Sequence, residues 1–256
     1  LVSDFSLILP TLNERENIGL QIKEVLRCLP EILQIIVVDD NSTDGTIESV
    51  RSEFPHELKT RKIILIERRA DFGLTPSLRE AIARAEGSLV GWMDCDLSMP
   101  PALFREMVGK IESGFDVCIG TRFGAGGRQK DLNEVQQDSK AEIVLSNILN
   151  VVLKTTLKLP ITDYTSGFVV ARKKLLSHII WRGTHGEYFI DFMFQATRLG
   201  AKLTEIPYEC GTRKYGNSKT FGSFTSSIRN SYRYGRTVLK VICGQYTGFR
   251  TQPVWK

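Results

Sequence analysis

The chain is predicted to be α/β, a mostly parallel sheet flanked by helices with a second lobe toward the C-terminus. Three observations predict it. Apolar, β-branched runs alternate with amphipathic stretches through the first half. Those runs are nearly continuous, as in strands buried on both faces. Polar residues gather where several of the runs end, the place where ligands bind in open parallel sheets.

Taken in order, the strands are "FSLILP" (5–10), "QIIVVDD" (34–40), "KIILIE" (62–67), "SLVGWMD" (88–94) and "DVCIGT" (116–121). Helices are expected at 15–29, 44–53, 74–86 and 101–113. The Ser, Thr and Asp of "DNSTD" are good helix-start residues ahead of the second of these. After residue 121 the pattern changes. "FGAGGRQKDLNEVQQDSK" (123–140) is polar and glycine-containing, and predicts a mobile loop. A long helix over 141–159 follows, then a turn and short strand over 163–172, a helix over 187–200 closed by Gly200, and a strand over 202–209. With no repeat and no low-complexity linker, the expected organisation is one unit. Its parts are 1–121 for a ligand-binding half, 122–220 for a second half, and 221–256 for a basic helical segment.

Composition narrows the function. Apolar content of 42% and charged content of 25% belong to an ordinary globular protein, and a net charge of +5 is too mild to imply nucleic acid. Five cysteines without a C-x-x-C pair make neither a disulfide framework nor a zinc site, and fit a reducing compartment. No apolar run approaches the ~18–20 residues of a membrane span, and no signal peptide pattern is present. A cytoplasmic chain is expected.

Three polar clusters fall at three strand ends: Thr11, Asn13 and Glu14; Asp39 and Asp40; Asp94 and Asp96. Any one of them could be a helix cap or a solvated turn; together they predict a shared ligand site. Asp94 and Asp96 carry the most chemistry. Two carboxylates at i and i+2 repel unless a cation lies between them. Oxygen-only ligation suits Mg²⁺ or Mn²⁺, and Mg²⁺ prefers few carboxylates plus substrate phosphates. Cys95, between the two, is expected to pack inward as a small hydrophobe.

The segments "LILPTLNERENI", "IIVVDDNSTDGT", "GWMDCDLSMPP", "GTRF", "DYTSGF" and "RKYGNSK" occur in the order found in family 2 glycosyltransferases of the Rossmann-like GT-A fold. The chain most resembles the dolichyl (polyprenyl) phosphate mannosyltransferase subgroup over about residues 5–220. The resemblance implies a C-terminal acceptor lobe after a nucleotide-sugar half. It implies that Pro10, Thr11, Asn13 and Glu14 line the nucleotide pocket, Glu14 reaching the ribose, with Asp39 and Asp40 on the base and ribose side. Asp94 and Asp96 would hold Mg²⁺ or Mn²⁺ against the donor diphosphate, with Ser98 a weaker, neutral ligand. Arg213, Ser218 and Lys219 would clamp phosphates, and Arg122 would meet an acceptor phosphate. The donor would be GDP-mannose or a UDP-sugar, the acceptor a polyprenyl phosphate, and the product inverted at the anomeric carbon.

Two departures bear on these expectations. Where related enzymes carry arginines toward the acceptor phosphate, this chain has Glu142 and Asn147; Arg122, Arg128 and Lys140 would have to supply the charge instead. The loop "DFGLTPS" (71–77) has Thr75 in place of a second glycine. Two alternatives remain open: transfer to a sugar or protein hydroxyl with Asp191 as general base, and a non-catalytic nucleotide-sugar-binding protein. Arg229, Arg233, Arg236 and Lys240 fall at i, i+4, i+7 and i+11, one face of a helix with apolar and aromatic neighbours. That is either a solvated basic face or a helix that meets an anionic membrane surface on its cytoplasmic side.

Overall fold

The computed structural model describes residues 2–123, 127, 147, 148, 150–211 and 233–241. Seven strands form one sheet: β1 (Phe5–Thr11), β2 (Gln34–Asp39), β3 (Ile63–Glu67), β4 (Leu89–Trp92), β5 (Val117–Thr121), β6 (Val169–Arg172) and β7 (Leu203–Pro207). Their order is β3-β2-β1-β4-β6-β5-β7. The pairs β1–β2, β1–β4, β2–β3 and β5–β7 are parallel, while β6 runs antiparallel to both β4 and β5. Strands from both halves of the chain thus share a single sheet.

Helices α1 (Arg15–Cys28), α2 (Thr46–Glu53), α3 (Pro55–Lys59), α4 (Leu74–Arg84), α5 (Leu103–Glu112), α6 (Lys173–Leu176) and α7 (Tyr188–Arg198) lie between the strands. Helical backbone also runs through 150–157 and 233–241. Alternate strand residues enter opposite cores, as the period-two geometry of a strand requires. Leu7, Leu9, Ile35 and Val37 pack with Ile18 and Ile22 of α1 and Phe104 and Met107 of α5. Ile8, Ile36, Val38 and Trp92 pack with Leu78 and Ala81 of α4 and Phe189 and Phe192 of α7. Both faces are covered, which is why the strands read as unbroken apolar runs.

The expected elements form, with ends shifted by a few residues. The fourth strand stops at Trp92, and Met93–Ser98 turn along the rim of the sheet. Asp40 leaves β2 but stays beside it, its amide donating to Thr11 O at 2.9 Å. The short helices at 2–4, α3 and α6 are too brief to show a period. Of the expected loop at 123–140, only Phe123 and Gly127 are described; the expected helix over 141–159 is described from 147 on, apart from residue 149. Among the described residues no helix is long and apolar enough to cross a membrane.

Candidate active site

Parallel pairing sets the ends of β1 and β2 side by side, with Thr11 opposite Asp39. The Thr11 hydroxyl donates to Asp39 Oδ1 at 3.1 Å, and the Ser42 amide donates to Asp39 Oδ2 at 2.8 Å. Asn13 stands in the left-handed region with φ 52°, a conformation that asparagine tolerates. Its amide donates to Ser42 Oγ at 2.7 Å, and its side-chain oxygen accepts from the Thr43 amide at 2.8 Å. Glu14 is buried and accepts from Asn17 Nδ2 at 2.7 Å, while its amide donates to Thr46 Oγ1 at 2.9 Å. Asp44 starts α2 by accepting the Thr46 amide at 3.0 Å. The two loops therefore brace each other, and Pro10, Thr11, Asn13, Glu14 and Asp39 share one rim.

Asp40 belongs to a different arrangement, which the sequence did not reveal. The side chain of Arg68, only 3% exposed, pairs with Asp40 Oδ1. It also donates to Ser77 Oγ at 2.9 Å, to Ala70 O at 3.1 Å and to Asp71 O. Asp40 Oδ2 accepts the Gly73 amide at 2.7 Å. Asp40 and Arg68 thus clamp the loop 70–73, where Gly73 has φ 131°, open to glycine but strained for other residues. The clamp fixes the loop ahead of α4 and leaves Phe72 about half exposed at its tip.

Asp94 and Asp96 follow β4. Asp94 is exposed, Asp96 is 6% exposed, and Cys95 between them is buried, as expected. Ser98 donates through its amide at 3.0 Å, and through its hydroxyl, to Asp96 Oδ1. Its clearest task is therefore to orient Asp96. Gln21 of α1 supports the same turn by accepting the Leu97 amide at 3.2 Å. A carbon added at Gly167, just before β6, would lie 3.5 Å from the Asp94 carboxylate. The Gly211 amide donates to Ser98 O at 2.9 Å. Arg213, Ser218 and Lys219, further along, lie outside the described residues, as does Arg128.

Arg122 follows β5; its guanidinium donates to Asp163 at 2.8 and 3.0 Å and to Thr165 Oγ1 at 2.8 Å, and its amide donates to Asp163 at 3.3 Å. Asp163 is fully buried. Burial alone would lower the Arg122 pKa, but the charge and hydrogen bonds of Asp163 hold it above its ordinary value. Asn150 completes the group, donating to Thr165 Oγ1 at 3.1 Å. Asp163 opens the "DYTSGF" segment, so its position was visible in the sequence although its partner was not. The cation expected to meet an acceptor is already held by a carboxylate.

Asp191, in the first turn of α7, is 2% exposed. One oxygen lies 3.7 Å from Arg182. Burial pushes its pKa up to about 6, against the pull of Arg182, Gln195 and Lys240. A solvated helix-face aspartate is thereby excluded. In 233–241, Val238 and Val241 are buried, whereas Arg236 is exposed and Arg233 and Lys240 are half-buried. Arg229 lies outside the described residues.

Comparison with known proteins agrees with this geometry. The chain is 27% identical over 234 residues to a dolichol-phosphate mannosyltransferase of Pyrococcus furiosus, spanning 89% of this chain but 62% of that relative. It is 28% identical over 225 residues to a polyprenol monophosphomannose synthase of Mycolicibacterium smegmatis, covering 84% of this chain and 80% of the relative. Its fold matches a glucosyl-3-phosphoglycerate synthase from Mycobacterium tuberculosis crystallised with Mn²⁺, UDP and glucosyl-3-phosphoglycerate. That match has a TM-score of 0.70 at 17% identity, over 93% of this chain and 80% of the other, and identifies the fold as GT-A. The model of glycosyl transferase family 2 matches residues 6–180, well over half of the chain and every strand but β7. With the strand-end carboxylates set around one rim of such a sheet, the chain belongs to glycosyl transferase family 2 and is a glycosyltransferase.

Proposed function

We propose that the chain moves a hexose, of mannose or glucose type, from a nucleotide-sugar to a polyprenyl phosphate, with inversion at the anomeric carbon. The observation that carries this is the rim itself. The Thr11–Asp39 and Asn13–Ser42 hydrogen bonds would brace a site for the nucleoside, and the Asp94–Asp96 turn follows β4, the strand next to β1, where a diphosphate would extend. The donor set at that turn is all oxygen, with one carboxylate open to solvent and the other oriented by Ser98, and it fits a hard divalent cation such as Mg²⁺ or Mn²⁺. When bound, the cation neutralises charge that builds on the leaving diphosphate. Asp94 and Asp96 would hold it, and Arg213, Ser218 and Lys219 would add cationic and hydroxyl contacts to the phosphates.

An acceptor phosphate arrives as an anion and needs no strong general base. Arg122, held by Asp163, would guide it without being able to turn away. The relatives' names support a polyprenol phosphate acceptor, and the basic 233–241 helix would lie near a membrane surface at its cytoplasmic face. One observation favours a second reading, transfer to a sugar or protein hydroxyl. The Asp191 carboxyl, raised to about 6, suits a base at neutral pH. A thermal-shift screen of GDP-mannose and UDP-sugars with and without Mn²⁺ tests the donor, since ligand binding to the folded state raises stability by mass action. A Mn²⁺-dependent shift with one nucleotide class is expected. Shifts with none of them would remove the reading.

A further inference from the structure

A guanidinium has five N–H donors, and Arg122 spends three of them inside the protein. Nε donates to Asp163 Oδ2 at 2.8 Å. Nη2 gives one hydrogen to Asp163 Oδ1 at 3.0 Å and the other to Thr165 Oγ1 at 2.8 Å. The two hydrogens on Nη1 have no partner among the described residues, and the side chain keeps 22% of its surface exposed. Nη1 is therefore the edge of Arg122 that a ligand can meet. The hydroxyl on the opposite side of this contact is saturated. Thr165 Oγ1 accepts from Arg122 and from Asn150 Nδ2 at 3.1 Å, and donates to Asp163 Oδ1 at 3.1 Å. One donor and two acceptors are all that a hydroxyl has. Asn150 is fixed in its turn: it is buried, and its Oδ1 accepts the Tyr164 amide at 2.5 Å.

Two parallel bonds to one carboxylate set the edge of a guanidinium but leave its plane free to tilt about that edge. A third contact, on the outer Nη2 hydrogen, removes the tilt. We propose that Thr165 is a positioning residue, its hydroxyl taking the second Nη2 hydrogen of Arg122 so that Nη1 alone is presented to the acceptor phosphate. Asn150 serves the same end by filling the other lone pair of Thr165, which leaves the hydroxyl proton to Asp163. Through one oxygen, the helix that carries Asn150 is thus tied to the cation at the end of β5. This inference rests on Arg122 meeting an acceptor phosphate, and the test separates the two.

Initial rates would be measured with Mn²⁺ and GDP-mannose or UDP-glucose, varying a polyprenyl phosphate and the donor in turn. Thr165→Val keeps the side-chain shape and removes the hydroxyl, whereas Thr165→Ser keeps the hydroxyl. Thr165→Val should raise the acceptor KM about tenfold, the worth of one hydrogen bond to a charged group. Its kcat and donor KM should stay at the wild-type values, and Thr165→Ser should restore the acceptor KM. Melting temperatures check the fold, and Thr165→Ala removes the same hydroxyl with less crowding should the valine variant not fold. In an Arg122→Lys background, which has no Nη2 to hold, Thr165→Val should raise the acceptor KM no further. An unchanged acceptor KM, an equal rise in donor and acceptor KM, or a rise that persists in the lysine background would overturn the assignment while leaving the acceptor reading in place. Wild-type protein that transfers neither sugar to polyprenyl phosphate would sink the acceptor reading and this inference together.

Discussion

On the proposed donor side of the rim, Asp94 stands exposed, and Asp39 and Asp96 are oriented by neutral donors from Thr11, Ser42 and Ser98. On the proposed acceptor side, Arg122 is held by the fully buried Asp163, and Arg182 lies beside the buried Asp191. The first region orients its carboxylates with hydroxyl and amide donors. The second compensates its charges in advance. A buried charge stripped of its ionic partner is expensive, whereas a lost neutral hydrogen bond costs about 0.5–1.5 kcal/mol. Substitutions should therefore damage stability on one side and chemistry on the other.

The largest effect is expected from Asp163→Ala, which leaves Arg122 without its counter-charge. Stability should fall by about 3–5 kcal/mol, measured by urea unfolding; a loss below 1 kcal/mol would break the contrast. Next comes Asp96→Asn, with a loss of about 10²–10³ in turnover and an unchanged melting temperature. Full activity with Mn²⁺ present would mean that the turn does not serve as a metal site. Arg68→Met tests the exception to the pattern, a buried ion pair on the donor side. It should cost about 2 kcal/mol through lost charge-assisted hydrogen bonds and weaken nucleotide-sugar binding, both readable by calorimetry.

The effect at Asp191 is confined to pH dependence. Its folded pKa of about 6 exceeds the ordinary 3.8, so folding favours the protonated form. The Asp191 contribution to stability is fully present below about pH 4 and is lost as pH rises through 6, by at most about 2–3 kcal/mol at 1.36 kcal/mol per unit. Asp191→Asn should flatten that decline in melts recorded from pH 4 to 7. Near-normal turnover in the same variant would favour the phosphate acceptor over the hydroxyl one.

Much of the fold could be read in advance because both faces of the sheet are covered, and covered strands leave unbroken apolar runs. One helix start was visible where "DNSTD" marks it. What could not be seen was pairing between distant residues. Arg68 looks like any charge after a strand, yet it closes on Asp40, 28 positions earlier. Asp163 sits in a segment singled out by resemblance, but nothing local says that Arg122 will meet it. Asp191 falls among apolar residues, and only packing reveals that α7 turns it inward. Nothing local says that Tyr234 will approach Gly186; that depends on how its helix docks.

The reversed strand β6 has a consequence for how such a chain could be re-engineered. In a wholly parallel sheet, only segments leaving strands reach the ligand rim. Because β6 runs the other way, with Val169 paired to Trp92, the chain re-enters the sheet at the same rim from which it left β5 at Thr121. The segment between Thr121 and Val169 is therefore attached to the sheet at one edge, and its described residues Leu153, Ile161 and Tyr164 pack into the core with Ile8 and Val38. Exchanging that segment would alter the rim without breaking a strand of the sheet, provided that Leu153, Ile161 and Tyr164 keep their packing.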